Sequence, residues 1–219
     1  MSATTRVLLV DDHPIVRYGF VQLLAMATDL EVCGQAADAQ TTIELLPDTR
    51  PDVVVLDVVL GNTNGIDLIR EIKDKLPDAT VLVVSMHDEQ LYAERALRAG
   101  ASGYLMKQEA TETLVQAIRT VAGGGTFVSP AMSSRLVQRA VSGGTPRGSS
   151  PLESLSDREL QVLELLGRGF GTREIAEQLH ISVKTVESYR ARLKEKINLR
   201  SGAELVRFAV RWTESRGDR

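Results

Sequence analysis

The chain has 219 residues, 43% hydrophobic and 25% charged, which excludes a disordered polymer and sets an expectation of one or two globular domains. A single cysteine, Cys33, excludes an intrachain disulfide and suits a reducing compartment. No apolar run approaches the roughly 18 residues of a membrane span, and the first residues carry no leader-like core, so a cytoplasmic protein without membrane contact is expected. The net charge of -3 argues against a nucleic-acid partner until it is divided. From Pro151 onward 13 Lys and Arg stand against 11 Asp and Glu, and before it 13 stand against 18. An acidic front and a mildly basic back imply two jobs.

In chain order, strands are predicted at 6–10, 31–36, 52–57, 80–85 and 103–106. Amphipathic helices are predicted near 14–27, 38–46, 65–76, 88–99 and 111–122. This alternation predicts an α/β domain with a doubly wound, five-stranded parallel sheet over residues 1–125. Val53-Val54-Val55-Leu56 is an unbroken apolar run of the kind buried on both faces, and Cys33 is expected in the core of its own strand. Residues 126–154 read as a connection: a helix near 130–141, then the Gly/Ser/Pro-rich stretch 142–151 as a flexible linker. Residues 155–219 read as a small all-α domain with helices at 157–168, 172–179, 183–197 and 202–213. Ser156-x-x-Glu159 and Ser201-x-x-Glu204 are capping boxes, and 172–197 has helix-turn-helix proportions.

The strand ends carry the chemistry. Ligands of open α/β sheets bind beyond the carboxyl ends of the strands. There the first strand ends on Asp11-Asp12, the third on Asp57, the fourth on Ser85 and the fifth on Lys107. Three carboxylates suit a hard cation such as Mg²⁺, and crowded together they must bind a cation or carry raised pKa values. A carboxylate can act as a phosphoryl nucleophile, and Asp57, ending the central strand, is the candidate. Lys107 and Ser85 are placed to contact the transferred oxygens.

Asp11-Asp12, Asp57, Gly65 eight residues on, Ser85, and Lys107 with Tyr104 three before it resemble the receiver domain of bacterial two-component response regulators. Asp-Asp-His-Pro at 11–14 is similar to the NarL/FixJ subclass. The resemblance implies a flavodoxin-like receiver whose Asp57 takes phosphate from a sensor histidine kinase. It implies Mg²⁺ held by Asp11, Asp12, Asp57 and the backbone carbonyl of Val59, and Ser85 and Tyr104 as a switch pair, with plain packing as the alternative for Tyr104. Leu60-Gly61 stands where that family usually has Met-Pro, so a more mobile loop is expected. Val59 and His87 are expected to tune phosphate lifetime, and His13 reads as a local structural residue.

On the 183–197 helix, Val183, Val186, Leu193 and Ile197 share one face and Lys184, Ser188, Ala191 and Glu195 the other. Short polar residues on a helix face can approach base edges in the major groove. Lys184, Thr185, Arg192 and Lys194 are candidates for phosphates, Ser188 and Ala191 for the base-facing surface, and Glu187 for cytosine N4. Leu155-Ser156-Asp157-Arg158-Glu159, Glu174-Ile175-Ala176 and Lys184-Thr185-Val186 resemble the LuxR-type DNA-binding domain, though Tyr189 stands where that family often has His. The resemblance implies double-stranded DNA with a two-fold operator, a homodimer paired through the last helix, and RNA polymerase as a further candidate partner. Trp212 on that helix, expected to be exposed, fits an interface or caps its own domain. The implied protein is a transcription regulator and not an enzyme, phosphotransfer to itself and slow self-dephosphorylation aside. An Mg²⁺-dependent phosphohydrolase would also need a second acid to activate water, and a DNA-binding protein with a vestigial receiver would have lost site residues. Neither feature is visible in the sequence.

Overall fold

The structure, a computed structural model, describes residues 4–61, 63–141 and 151–217. The chain forms two compact units, Met1–Gly144 and Thr145–Arg219. In the first, strands β1 (Thr5–Val10), β2 (Leu30–Ala36), β3 (Val53–Leu56), β6 (Thr80–Ser85) and β7 (Gly103–Met106) pair in parallel in the order β2-β1-β3-β6-β7. Between β3 and β6 lies a two-residue antiparallel ladder, β4 (Val59–Leu60) with β5 (Thr63–Asn64). Helices α1 (Pro14–Ala25), α2 (Ala39–Thr49), α3 (Gly65–Lys75), α4 (Glu89–Ala99) and α5 (Ala110–Ala122) alternate with the strands. Side-chain alternation sends Val7, Leu9, Val53, Val55, Leu82 and Val84 to the face covered by α1 and α5, where they pack with Phe20, Leu24, Leu114 and Ile118. Leu8, Val54, Leu56, Val81 and Val83 face the other way and are equally buried, so the central strands are dry on both sides.

Two local expectations are corrected. Helix α2 runs past its predicted end near 46, through Pro47 to Thr49. In the last turn a proline removes only one ladder bond, and the helix closes one residue later on Arg50 in left-handed backbone (φ 40°), its N–H on the Leu46 carbonyl at 2.9 Å. Cys33 is half-buried and not core. β2 is an edge strand, and the register with β1 jumps from Val7↔Val32 to Leu8↔Gly34, which makes Cys33 the extra residue of a bulge.

The other sheet edge is covered. Gly103 bridges Phe127, and the Tyr104 N–H donates to the Phe127 carbonyl at 2.7 Å. Helix α6 (Pro130–Val141) follows within the same unit, tied to α4: Glu89 of α4 accepts from the Ser129 N–H at 2.8 Å and from its hydroxyl, and the Arg135 guanidinium donates to the Gln90 carbonyl at 3.3 Å. The predicted linker at 142–150 lies outside the described residues.

The second unit packs α7 (Asp157–Gly167), α8 (Thr172–Gln178), α9 (Val183–Lys196) and α10 (Gly202–Gly217) around Leu160, Leu163, Ile175, Val186, Leu193, Leu205 and Ala209. The capping box of α7 forms as predicted: the Ser156 hydroxyl accepts from the Glu159 N–H at 3.3 Å and Glu159 accepts from the Ser156 N–H at 2.7 Å. Glu159 also binds Lys196 of α9 at 2.7 Å. Burial opposes the charged form of Glu159, but Lys196 and Ser156 outweigh it and hold the carboxyl below its ordinary value. Ser156→Ala should cost about 1 kcal/mol. Urea unfolding followed by the fluorescence of Trp212, the chain's single tryptophan, would read that loss in this unit.

Candidate functional site

The strand order reverses between β1 and β3, and the residues just beyond those two ends are Asp11, Asp12 and Asp57. Lys107, directly after β7, reaches across to them. Its Nζ lies 2.6 Å from Asp57 Oδ2 and 2.6 Å from Asp11 Oδ2, with only 8% of the side chain exposed. The second oxygens are held by backbone: Asp11 Oδ1 accepts from the His13 N–H at 2.9 Å, and Asp57 Oδ1 from the Val59 N–H at 3.3 Å. Asp12 Oδ2 accepts from the Gly61 N–H at 3.0 Å. After Asp57 the chain makes the β4–β5 ladder, and Gly61, at φ 50°, donates this N–H to the acidic pocket. The eight-residue spacing to Gly65 also has a steric cause. The Gly65 N–H donates to the Val58 carbonyl at 2.7 Å, and a Cβ on it would lie 2.4 Å from the Asp57 carbonyl oxygen.

Burial pushes the Asp57 carboxyl above its ordinary value, assisted by the charge of Asp11 and opposed by Lys107. Burial also works against the Lys107 ammonium, but Asp57 and Asp11 overcome it and raise its pKa, so the lysine stays charged. The residues fit a hard divalent cation. One ligand atom each from Asp11, Asp12, His13 and Asp57 lie within 4.8 Å of one another, and Asp12 Oδ1 lies 2.7 Å from His13 Nδ1. The oxygen donors are those Mg²⁺ prefers.

Ser85 and Tyr104 meet through His87. The buried Ser85 hydroxyl accepts from the His87 N–H at 3.2 Å, and the buried Tyr104 hydroxyl donates to the His87 carbonyl at 2.7 Å. The tyrosine ring is therefore inward, beneath the loop that leads from β6 to α4. The His87 ring packs on Tyr92, centroids 5.0 Å apart.

In the second unit, Ser182 caps α9 by accepting from the Thr185 N–H at 3.0 Å. Val186 and Leu193 are buried as expected, but Val183 is 40% exposed, because the first residue of the helix precedes the turn that packs. Lys184, Thr185, Ser188 and Arg192 line a shallow recess of about 340 Å³ with Ser182 and Tyr189. Glu187 and Ala191 are exposed beside it, and Lys194 is half-buried. The Arg192 guanidinium sits 5.9 Å from the centre of the Tyr189 ring, a cation–π contact that gives Tyr189 a local purpose. Two of the basic residues on this helix are used internally: Arg190 binds the Thr172 hydroxyl of α8 at 2.5 Å and Lys196 binds Glu159. Trp212 is half-buried, not exposed. Among the described residues no helix is long and apolar enough to cross a membrane.

Comparison with known proteins agrees with this division. Residues 7–119 match the response regulator receiver domain, and residues 153–209 match bacterial regulatory proteins of the luxR family. The chain is 36% identical over 210 residues to the oxygen regulatory protein NreC of Staphylococcus carnosus, covering 94% of this chain and 97% of that one. A LuxR-family two-component response regulator from Aurantimonas sp. superposes with a TM-score of 0.59 at 37% identity, covering 64% of this chain and 99% of that one. RcsB of Salmonella enterica, solved bound to a promoter with the phosphomimetic BeF₃⁻, superposes with a TM-score of 0.61 at 27% identity, covering 94% and 98%. The chain belongs to the response regulators of the NarL/FixJ type, a receiver domain followed by a LuxR-type helix-turn-helix domain.

Proposed function

We propose that Asp57 accepts a phosphoryl group from a sensor histidine kinase and that the resulting charge controls dimerisation and DNA binding. The observation that carries the reading is Lys107, bonded at 2.6 Å to one oxygen each of Asp57 and Asp11 inside a three-carboxylate pocket. A carboxylate oxygen of Asp57 attacks phosphorus, the bond from phosphorus to the donor imidazole nitrogen breaks, and an aspartyl phosphate forms while the imidazole leaves with a proton. Asp11, Asp12, Asp57 and the Val59 carbonyl would hold Mg²⁺, whose role is to neutralise the phosphoryl oxygens. Lys107 and the Ser85 hydroxyl contact those oxygens, and Ser85 shifting on His87 passes the change to Tyr104.

The receiver spans residues 1–125, a connection 126–154, and the DNA-binding domain 155–219. Lys184, Arg192 and Lys194 neutralise phosphates, Thr185 donates a hydrogen bond to one, Ser188 and Ala191 approach base edges, and Glu187 accepts from cytosine. Two copies joined through the last helix read a two-fold operator, in the cytoplasm, with RNA polymerase as a further partner. Intact-mass spectrometry tests the chemistry. With a small acyl-phosphate donor and Mg²⁺ the wild type should gain one phosphoryl adduct, and Asp57→Ala or chelator should remove it. An adduct of equal yield on Asp57→Ala would contradict the reading.

A further inference from the structure

Residues 127–129 are held on two neighbouring elements at once. Phe127 lies along the edge of the sheet: its N–H donates to the Ser102 carbonyl at 3.1 Å and its carbonyl accepts from the Tyr104 N–H at 2.7 Å. Two residues on, Ser129 is gripped by α4. The carboxylate of Glu89, the first residue of that helix, accepts from the Ser129 N–H at 2.8 Å with one oxygen and from the Ser129 hydroxyl with the other. The same hydroxyl accepts from the Met132 N–H at 3.1 Å, so Ser129 caps α6, and the Glu89 charge lies at the positive end of that helix. Buried Met132 then seats α6 on its own unit.

The two grips differ in what they are fixed to. Phe127 is bound by backbone to a strand of the sheet. Ser129 is bound by a side chain to the start of α4, which follows the loop that carries Ser85 and His87. The His87 N–H donates to the Ser85 hydroxyl at 3.2 Å, and the His87 carbonyl accepts from the Tyr104 hydroxyl at 2.7 Å. Asp88 joins His87 to Glu89 and caps α4 by accepting from the Gln90 N–H at 2.7 Å, so displacement of His87 carries Glu89 with it. Two residues of chain span about 7 Å at most, which leaves 127–129 no slack to follow β7 and α4 apart.

We infer that Glu89 and Ser129 form a latch that holds α6 on α4 while Asp57 is unmodified, and that phosphorylation of Asp57 opens it. The inference rests on the proposed phosphorylation, and names the contact through which that charge reaches the helix leading out of the receiver. When the Ser85 hydroxyl turns to a phosphoryl oxygen, the His87 N–H loses its acceptor and the start of α4 shifts. The backbone bonds of Phe127 stay with the sheet, so the side-chain grip is the one that gives. Both of its hydrogen bonds converge on one carboxylate and are lost together, which gives α6 two discrete states.

Hydrogen exchange of the full-length protein, read by mass spectrometry on peptides from 127–141, tests the latch. Intact mass on the same samples counts phosphoryl adducts. In the wild type, α6 should exchange on the order of tenfold faster once acyl-phosphate donor and Mg²⁺ have formed the adduct. Glu89→Ala should show the fast exchange without donor and no further rise with it, at the adduct yield of the wild type. Ser129→Ala, which loses the hydroxyl and keeps the N–H, should fall between the two. An adduct on the wild type with α6 exchange unchanged overturns the latch alone, as does a donor-driven rise of equal size in both variants. No adduct on the wild type, or an equal one on Asp57→Ala, overturns the phosphorylation reading and the latch with it.

Discussion

Gly65→Ala should slow phosphorylation of Asp57 by about 10²-fold, the scale expected when reacting groups are misplaced by about 1 Å. The added Cβ would lie 2.4 Å from the Asp57 carbonyl oxygen, 2.8 Å from Val58 Cα and 2.9 Å from the Val58 carbonyl oxygen. All three are backbone atoms, so no side chain can rotate away. The segment carrying Asp57 and Val59 must move, and overpacking of this kind costs about 1–3 kcal/mol. Gly19→Ala is the control. Its Cβ meets nothing within 4 Å, it sits inside α1, and the change should be neutral or stabilise by up to about 1 kcal/mol. Adduct formation over time by intact mass, with urea unfolding of both variants, checks the pair. Equal rates for Gly65→Ala and wild type would refute the steric account.

Lys107→Ala should destabilise the receiver by about 3 kcal/mol at neutral pH without divalent cation, because two buried carboxylates lose their shared counter-ion. The pH dependence follows from Asp57, whose pKa burial already places above its ordinary value. A carboxyl raised on folding contributes stability that is complete below its unfolded pKa and is lost as pH rises through the folded one. The deficit of the variant should therefore be smallest in acid and grow toward neutrality. Mg²⁺ should restore much of it, since a cation supplies the missing charge and binding stabilises by mass action. Phosphorylation-driven output should nonetheless stay lost, because Mg²⁺ does not replace the lysine that would contact the phosphoryl oxygens. Denaturant unfolding at two pH values with and without Mg²⁺ measures this, and a variant as stable as wild type in chelator would argue against the buried triad.

The features legible in the sequence are those with a short-range cause. Val53-Val54-Val55-Leu56 has to be a two-face-buried strand, and Asp57 therefore has to sit at its mouth. The Ser156/Glu159 box declares the start of α7, and Val186 and Leu193 declare the inner face of α9. What could not be read depends on residues distant in sequence or on tertiary tolerance. Glu89 holding Ser129 spans forty residues with no local signal. Pro47 is accepted in the last turn, with only Asp48 and Thr49 of the helix after it. Arg190 and Lys196 lie on the same helix as the DNA-contact candidates, yet they bond Thr172 and Glu159 of their own unit, contacts with no local signal in the sequence. His13 was legible as the third residue of Asp-Asp-His-Pro. Its approach to both carboxylates needed the extended backbone that Pro14 imposes.

If the receiver governs the helix-turn-helix domain, chemistry at Asp57 must reach DNA. The decisive measurement is binding to a duplex selected from random sequence by the phosphorylated protein, together with sedimentation mass. It would be made with and without acyl-phosphate donor and Mg²⁺, on wild type and Asp57→Ala. The prediction is that donor doubles the mass and tightens binding by about 10²-fold or more in the wild type alone, the gain expected when two linked contacts engage together. Equal binding in all four samples would contradict it and leave the helix-turn-helix domain acting without the receiver's control.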